Sequence, residues 1–270
     1  MSDLPDPLTL ARIIEAANFK ALVGHAPIMR RLFPDSEPAT LFVADGVASF
    51  VGVGVPVSYA EGLGMDGKIE AEHIAQVVEF YRSRGAVPRV DVCPLADASL
   101  LPALRAHNFR LYAFVNVLVR PLSADDVIEP IPDGIVVREA RPDEADLWMQ
   151  VADEGFSDGS PITEARRRLG LLLFNGETTT PYLAEVDGQV AAAGAMFTHG
   201  SYAALTAAAV RVPFRNRGVH AALIRTRLKI ARDLGFTVAG LFANPGSQSN
   251  RNAVRHGFTV TYTKAIMKQD

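Results

Sequence analysis

The chain has 270 residues, a formal net charge of −3 at pH 7 and a single cysteine. That length predicts one large domain or two of ordinary size, and the near-neutral charge without a basic tract argues against nucleic acid as a partner. One cysteine excludes an intramolecular disulfide and a thiolate metal site, which favours a cytoplasmic protein that binds no metal.

The first part of the chain predicts a helix followed by a hairpin. Residues 1–19 have the pattern of a capped amphipathic helix and not that of a charged, apolar leader. The run LFVADGVASFVGVGV follows from Leu41, and its pair Asp45-Gly46 between apolar segments indicates a tight turn. The most apolar stretch, Val47–Ala60, is interrupted by glycine, proline and serine, so we expect no membrane-spanning helix and no membrane partner.

A literal GxGxxG, Gly62–Gly67, comes after this hairpin, and Asp91 lies on a later predicted strand. These are the ingredients of a dinucleotide-binding loop. Pro56 and the preceding hairpin, however, indicate an antiparallel strand and not the first strand of a doubly wound parallel sheet. An NAD(P)-binding protein that uses Gly62–Gly67 is therefore kept as an alternative, and it predicts that Gly64→Val abolishes nicotinamide-cofactor binding.

The second half of the chain repeats the pattern of the first half at an offset of roughly 150 residues, about one domain length. The run YLAEVDGQVAAAGAMF, from Tyr182, again places an Asp-Gly pair between two apolar segments. Pro121–Gly134 lies between the halves, is rich in proline and acidic residues, and lacks periodicity, as linkers do. We therefore predict two modules, at residues 1–121 and 135–270, joined by a linker at 122–134.

The junction between a strand and a helix in the second module carries the strongest chemical signal. Arg215–His220 reads RNRGVH, directly after the strand-like run TAAAVRVP and directly before a helix-like run. Unpaired amides and the positive end of the helix dipole make such a junction a binding site for anions. Gly218 lets the backbone approach a ligand closely, and Arg215 and Arg217 can donate charge-assisted hydrogen bonds to phosphate.

The segment after this helix predicts a buried strand at Thr237–Ala243, a turn, and a short helix from about Ser249 to His256. Gly257 is a suitable residue to end that helix, and a last strand begins at Phe258. RNRGVH resembles the pyrophosphate loop of the GNAT superfamily, the acyl-CoA-dependent N-acyltransferases, and SNRNAVRHGF resembles the second signature of that superfamily at the expected spacing.

The resemblance implies an α+β fold of two tandem GNAT-like modules, each with a central mixed, mainly antiparallel sheet flanked by helices. It implies acetyl-CoA as the cosubstrate, and direct attack of a primary amine, from a small molecule, a protein or a peptide, on the thioester. We expect a monomer or a homodimer.

The resemblance also implies which residues meet the cofactor. In the superfamily, an amide at the end of the fourth strand meets the thioester oxygen, and amides at the start of the next helix hold the pyrophosphate. Polar residues of the following helix face the pantetheine. The corresponding residues here are Val210, Arg211, Val212, Arg215, Arg217, Gly218, Val219, His220, Ala221, Ser249 and Asn252.

His220 stands where the superfamily has a small residue. Two roles are open for it. Either its amide alone meets phosphate and the imidazole points outward, or a protonated imidazole adds positive charge to the site.

The residues for proton transfer are less clear. Many superfamily members carry a general-acid tyrosine four residues before the glycine of the second signature, where this chain has Ala253. Tyr262 is a possible substitute, although a packed strand aromatic is the alternative, and a thiolate of pKa roughly 8.5 can also leave without an acid. Glu185 is a candidate base, and further candidates are Asp153, Glu154, Asp158 and His199.

The matching junction of the first module contains Glu61 and Asp66, whose charges would repel a pyrophosphate. We therefore expect that module to be degenerate and to have a structural role. Because Ala253 replaces the usual acid, a non-catalytic acyl-CoA-binding sensor or scaffold is the alternative function. The basic run Glu164–Gly170 is most simply a solvated helix face, with contact to the 3′-phosphate of the cofactor as the alternative.

Overall fold

The computed structural model describes residues 4–269. They form two compact units. The carboxy-terminal unit comprises residues 118–260 with Leu4, and the amino-terminal unit comprises residues 5–117 and 261–269.

The amino-terminal unit is a mixed sheet with helices. Its strands follow the order β1-β2-β3-β4-β11, with the first part of β5 beside β11. The pairs β1–β2, β2–β3 and β4–β11 are antiparallel, whereas β3–β4 is parallel. The elements are α1 (Pro7–Leu32), β1 (Ala39–Val43), β2 (Gly46–Phe50), β3 (Ala60–Glu61), α2 (Ala71–Arg82), β4 (Arg89–Val92), α3 (Leu100–Ala106), β5 (Arg110–Pro121) and β11 (Thr259–Lys268).

The first hairpin is present, but its turn lies one residue earlier than predicted. Val43 pairs with Gly46, so Ala44 and Asp45 form the turn in place of Asp45 and Gly46. Gly46 is paired within the sheet. A glycine is needed there because a β-carbon would come within 2.8 Å of the Glu61 carbonyl oxygen. Its lack of a side chain thus serves close packing and not the turn.

The carboxy-terminal unit repeats this arrangement with longer strands. The strand order is β10-β9-β8-β7-β6, with the end of β5 beside β10. The pairs β6–β7, β7–β8 and β8–β9 are antiparallel, whereas β9–β10 is parallel. The elements are β6 (Ile135–Glu139), α4 (Ala145–Ser157), α5 (Glu164–Phe174), β7 (Thr179–Val186), β8 (Gln189–His199), β9 (Tyr202–Val210), α6 (Val219–Asp233), β10 (Val238–Ala243) and α7 (Gln248–Arg255), with short 3-10 turns at Pro142–Glu144 and Val212–Phe214.

The second predicted hairpin is confirmed, because Val186 pairs with Gln189 and leaves Asp187 and Gly188 in the turn. Both turn residues have positive φ, 52° and 74°, as a type I′ turn requires. The predicted fold class is confirmed as well, since each unit is a mixed, mainly antiparallel sheet with helices.

The compact units divide the chain differently from the predicted modules. Residues 261–268 of the last strand pair with β4, for example Ala265 with Val92, and therefore belong to the amino-terminal unit. The predicted linker packs along α6 in the carboxy-terminal unit, where Arg232 donates to the carbonyl oxygen of Asp126 at 2.6 Å and Arg225 to that of Pro130 at 2.8 Å. Sequence composition does not report such contacts.

Amphipathic helices fill the core of each unit. In α6 the buried face includes Val219, Leu223 and Leu228, which join a cluster with side chains of the sheet. Within residues 4–269, none of the helices is both long enough and apolar enough to span a membrane. Over the same residues, we find no grouping of three or more His, Cys, Asp or Glu side chains suited to a metal ion.

Candidate cofactor site

A cavity of about 360 Å³ opens in the carboxy-terminal unit, where β9, α6, α7 and the end of α4 meet. Its volume lies within the range of roughly 300–1,000 Å³ that is usual for small-molecule sites. Most of the predicted cofactor-binding residues line this cavity: Val210, Arg215, Gly218, Val219, His220, Ala221, Ser249 and Asn252. Arg211, Val212 and Arg217 are not among the lining residues.

The strands β9 and β10 separate beside the cavity. Their parallel pairing joins Tyr202–Ala204 to Val238–Gly240. The strand β9 nevertheless continues to Val210, and its last residues line the cavity. The backbone groups of an open strand edge can pair with an extended ligand in the manner of an added strand.

A bulge in β9 lies at the same point. Ala193 of β8 pairs with Ala209, whereas Ala195 pairs with Thr206, so β9 carries one extra residue between the two pairs. Ala207 lies inside the bulge and has φ 53°. A residue with a β-carbon keeps this conformation only where its surroundings fix it.

Arg227 of α6 is the group that holds the bulge. Its Nη1 donates to the carbonyl oxygens of Ala195, at 2.7 Å, and Thr206, at 3.0 Å, and its Nε donates to that of Leu223. The side chain is 1% exposed, and burial lowers its pKa to about 10, so the guanidinium remains charged at neutral pH. Ala195 and Thr206 are paired next to the bulge, so their carbonyl oxygens share one buried, charged donor at that point.

The first turn of α6 presents its amides to the cavity. Gly218 is the N-cap, with φ 82°, and provides no side-chain hydrogen bond to the helix. The first hydrogen bond of the helix runs from the Ala222 amide to the Gly218 carbonyl oxygen. The amides of Val219, His220 and Ala221 therefore have no acceptor within the helix and are available to an anion.

The two arginines of the loop have different positions. Arg215 lines the cavity and binds the end of α4, through Asp158 at 2.6 Å and the carbonyl oxygen of Gly155 at 2.8 Å. Arg217 forms an ion pair with Asp187 at 3.0 Å and lies outside the lining. Of the two predicted phosphate-binding side chains, the structure thus brings only Arg215 to the cavity.

The predicted end of β9 needs a correction. The strand ends at Val210, and a 3-10 turn, Val212–Phe214, follows in place of a strand that continues to Pro213. Pro213 has no amide hydrogen for a sheet, so the chain turns before it. The Arg211 amide donates to the Ala191 carbonyl oxygen at 3.0 Å, and its guanidinium binds Glu154 at 2.6 Å. Arg211 thus uses its amide and its guanidinium in contacts with β8 and α4, and Val212 lies outside the cavity lining.

His220 and Asn252 join α6 to α7 at the cavity. The Asn252 side chain lies 3.2 Å from Nδ1 of His220. Burial lowers the pKa of His220 to about 4, and the positive charges of Arg227 and His256 act in the same direction. A neutral imidazole accepts at Nδ1 from the amide and carries its hydrogen on Nε2. These contacts favour neither predicted role of His220, since the side chain is inside the cavity and uncharged.

The matching loop of the amino-terminal unit has its amides occupied. The carboxylate of Asp45 accepts from the amides of Gly64, at 2.9 Å, and Asp66, at 2.5 Å. Asp91 is bound by Arg89 at 2.7 Å. The Gly62–Gly67 loop thus holds an internal carboxylate where a dinucleotide loop would offer amides to a pyrophosphate.

Comparison with known proteins agrees with this geometry. Residues 145–258 match the family model for the acetyltransferase (GNAT) family. No curated protein has a significant match to the chain.

Solved structures show the GNAT fold over nearly the whole chain. A GCN5-related N-acetyltransferase from Kribbella flavida is 15% identical, with a TM-score of 0.69 and coverage of 99% of this chain and 96% of that one. One from Sphaerobacter thermophilus is also 15% identical, with a TM-score of 0.59 and the same coverage. A tandem GNAT protein from the clavulanic acid biosynthesis pathway is 14% identical, with a TM-score of 0.58 and coverage of 95% and 93%. The predicted tandem GNAT architecture is thereby confirmed.

The residues considered for proton transfer lie apart from the cavity lining. Ala253 is fully buried in the core. Tyr262 belongs to the amino-terminal unit, and its hydroxyl donates to Glu15 at 2.8 Å. Glu185 is bound by Arg138 at 2.8 Å. Among the other candidates, Asp153, Glu154 and Asp158 are ion-paired with arginines.

Sequence reasoning missed Arg227 and half of the lining residues, which are Gly155, Phe156, Ala208, Ala209, Phe214, Asn216, Gln248 and Arg255. Gly155 and Phe156 of α4 line the cavity, and Phe156 is 64% exposed at its mouth. Arg255 lines it from α7, and Arg227 holds the bulge. A glycine next to an aromatic residue inside a predicted helix is a signal for a close approach, whereas the two arginines carry no such signal in the sequence.

Proposed function

We propose that residues 118–260 bind an acyl-CoA, with acetyl-CoA as the simplest case, and transfer its acyl group to a primary amine. The observation that carries the proposal is one cavity that joins the open edge of β9 to the uncapped amides of Val219, His220 and Ala221. Acyl-CoA matches both features, since it has an amide-rich pantetheine arm and a pyrophosphate. The match of residues 145–258 to the GNAT family model supports the same ligand.

The residues divide the work as follows. Gly218 and the amides after it hold the pyrophosphate, and Arg215 adds a guanidinium beside them. The pantetheine lies along Ala208–Val210, so that a backbone amide near the bulge donates to the thioester oxygen. The bulge is held by Arg227, which fixes this donor before the ligand arrives.

The reaction is direct acyl transfer. The lone pair of the amine attacks the thioester carbonyl carbon, the carbon–sulfur bond breaks, and the amine nitrogen gives one proton to water as the amide forms. The sulfur leaves as a thiolate, whose conjugate thiol has a pKa of roughly 8.5, so it departs without an acid or takes a proton from water. Ala253 therefore does not forbid the reaction.

The amino-terminal unit is proposed to bind no acyl-CoA. Asp45 occupies the amides of Gly64 and Asp66, and Glu61 lies buried at the end of β3. A pyrophosphate at this loop would have to displace the carboxylate of Asp45 and approach that of Glu61. We expect one acyl-CoA per chain.

A non-catalytic acyl-CoA sensor is the second candidate, and the buried Ala253 at the general-acid position favours it. Single-turnover assays separate the two functions. Acetyl-CoA and excess protein are mixed with primary amines of different classes, and free thiol and acylated amine are measured together. Acyl transfer requires both products in equal amounts from the wild type and neither from Gly218→Glu. Acetyl-CoA that binds but remains intact with every amine class would replace the enzyme with the sensor.

A further inference from the structure

A second, smaller cavity of about 250 Å³ lies beside the first one in the carboxy-terminal unit. It is formed by α6, the end of α7, the end of β5 and the segment 127–129. Arg120, Arg225, Arg255 and His256 line it, with Glu129 as the acidic side chain of the lining. Arg255 lines both cavities and so marks the point where they adjoin.

The positive charges of this basic cavity exceed the negative ones. Arg225 forms an ion pair with Glu129, whose side chain is 73% exposed, and Arg120 lies 3.6 Å from Asp126. Arg255 meets no carboxylate within residues 4–269, and its described polar partner is Oδ1 of Asn252 at 3.3 Å. An exposed carboxylate such as that of Glu129 exchanges easily with a stronger anionic partner.

Two buried polar atoms at the cavity have no partner in residues 4–269. Nδ1 of His256 lies 2.8 Å from the carbonyl oxygen of Asn252 and must carry a hydrogen, because a carbonyl oxygen only accepts. Nε2 of His256 is buried without a hydrogen bond, and so is Nε of Arg225. Buried polar atoms without partners call for an explanation. A ligand oxygen would accept from Nε–H of Arg225, and from Nε2 of His256 when that nitrogen also carries a hydrogen.

We propose that this basic cavity binds the 3′-phosphate at the nucleotide end of the acyl-CoA. This inference rests on the proposed function, since the pyrophosphate at the start of α6 brings the ribose phosphate past Arg255. A phosphomonoester carries a charge of about −1.5 to −2 and three acceptor oxygens, which suit the forked guanidinium of Arg225, with Arg255 and His256 beside it. The cavity selects CoA over dephospho-CoA.

The basic run Glu164–Gly170, considered earlier for contact with the 3′-phosphate, forms ion pairs with other side chains. Arg166 binds Asp153 at 2.7 Å, and Arg168 binds Glu164 at 2.8 Å, both within α4 and α5. Neither arginine lines either cavity. The phosphate contact therefore belongs to Arg225 and not to α5.

Calorimetric titration with CoA, dephospho-CoA and 3′,5′-ADP tests the inference. We expect the wild type to bind CoA at least about tenfold more tightly than dephospho-CoA, as one charge-assisted contact of this kind supplies. In Arg225→Gln the ratio of the affinity for CoA to that for dephospho-CoA falls towards one. The affinity for dephospho-CoA itself is retained, which also shows that the variant is folded. Arg251→Gln, on the exposed side of α7, keeps the full preference.

The outcomes separate this inference from the proposed function. Equal binding of CoA and dephospho-CoA by the wild type, or an unchanged preference in Arg225→Gln, overturns the basic cavity as the phosphate site and leaves the first cavity intact. A wild type that binds 3′,5′-ADP but does not bind CoA overturns the acyl-CoA assignment and the inference that rests on it. Binding of none of the three probes overturns both proposals.

Discussion

The side chain of Asn252 in α7 lies 3.2 Å from Nδ1 of His220 in α6, and this contact fixes a histidine inside the candidate site. Because burial lowers the pKa of His220 to about 4, the imidazole stays neutral from pH 5.5 to 8. A neutral His220 argues against the protonated imidazole that adds positive charge to the site, which is one of the two roles that the sequence left open.

The first prediction concerns this histidine. The ratio of acetyl-CoA affinities between the wild type and His220→Ala should stay constant from pH 5.5 to 8, because His220 does not change charge there. Titration calorimetry at several pH values measures the ratio, and NMR of the imidazole follows its protonation. A ratio that rises as the pH falls through 6.5 would show a charged His220.

The second prediction concerns Arg227. Arg227→Met leaves the carbonyl oxygens of Ala195 and Thr206 without this donor, at a cost of roughly 1–3 kcal/mol for each buried group. We expect lower stability and weaker acetyl-CoA binding, with partial rescue in Arg227→Lys. Lys229→Met, on an exposed part of the same helix, is the control for both measurements. Unchanged affinity in folded Arg227→Met would remove the bulge from the binding mechanism.

The third prediction concerns Gly155. A β-carbon at Gly155 would lie 2.7 Å from that of Ala209 and 2.9 Å from the Val210 amide nitrogen. Gly155→Ala should therefore push α4 away from β9, destabilise the protein by about 1–3 kcal/mol, and weaken acyl-CoA binding. Gly24→Ala is the matched helical control, since nothing lies within 4 Å of its β-carbon and the change should be neutral or stabilising. Equal unfolding free energies of the two variants would refute the tight contact.

The fourth prediction concerns a buried charge cluster in the amino-terminal unit. Lys264 binds Glu15 at 2.8 Å and also contacts Glu61, while Tyr262 donates to Glu15. Burial raises the pKa of Glu15 from 4.5 to about 7, with the neighbouring charge of Glu61 acting in the same direction and Lys264 opposing both. When Glu15 carries a proton, the buried cluster contains one carboxylate, that of Glu61, and one ammonium, that of Lys264.

The sign of the pH dependence follows from this shift. The folded state holds the Glu15 proton more tightly than the unfolded state, so its contribution to stability is complete below pH 4.5 and is lost as the pH rises through 7. Urea unfolding at pH 6 and pH 8 should show a larger loss of stability in the wild type than in Glu15→Gln. The same loss in both proteins would contradict the raised pKa.

The sequence predicted the parts of the fold that local chemistry controls. Asp187-Gly188 forms the expected turn, and RNRGVH lies between a strand and the start of α6. The bulge at Ala207 could not be predicted, because the alanine-rich run around it has no residue that marks a bulge. The buried position of Arg227 depends on carbonyl oxygens that are distant in the sequence.

Long-range contacts also explain the misplaced details. The Asp45 carboxylate accepts hydrogen bonds from the amides of Gly64 and Asp66, and Gly46 packs against Glu61. The Asp-Gly pair therefore does not form the first turn. Tyr262 follows the last strand into the amino-terminal unit, whereas the sequence order places it beside the second GNAT signature. Strand pairing decides both positions, and it cannot be derived from composition or periodicity.

Calorimetric titration of acetyl-CoA into the wild type, Gly218→Glu and Gly235→Glu decides whether the loop before α6 is the working site. Both glycines have nearly the same φ, 82° and 83°, so Gly235→Glu controls for backbone strain away from the cavity. We predict one site per chain in the wild type and in Gly235→Glu, and none in Gly218→Glu. Two sites in the wild type, or undiminished binding by Gly218→Glu, would contradict the assignment of the carboxy-terminal cavity as the acyl-CoA site.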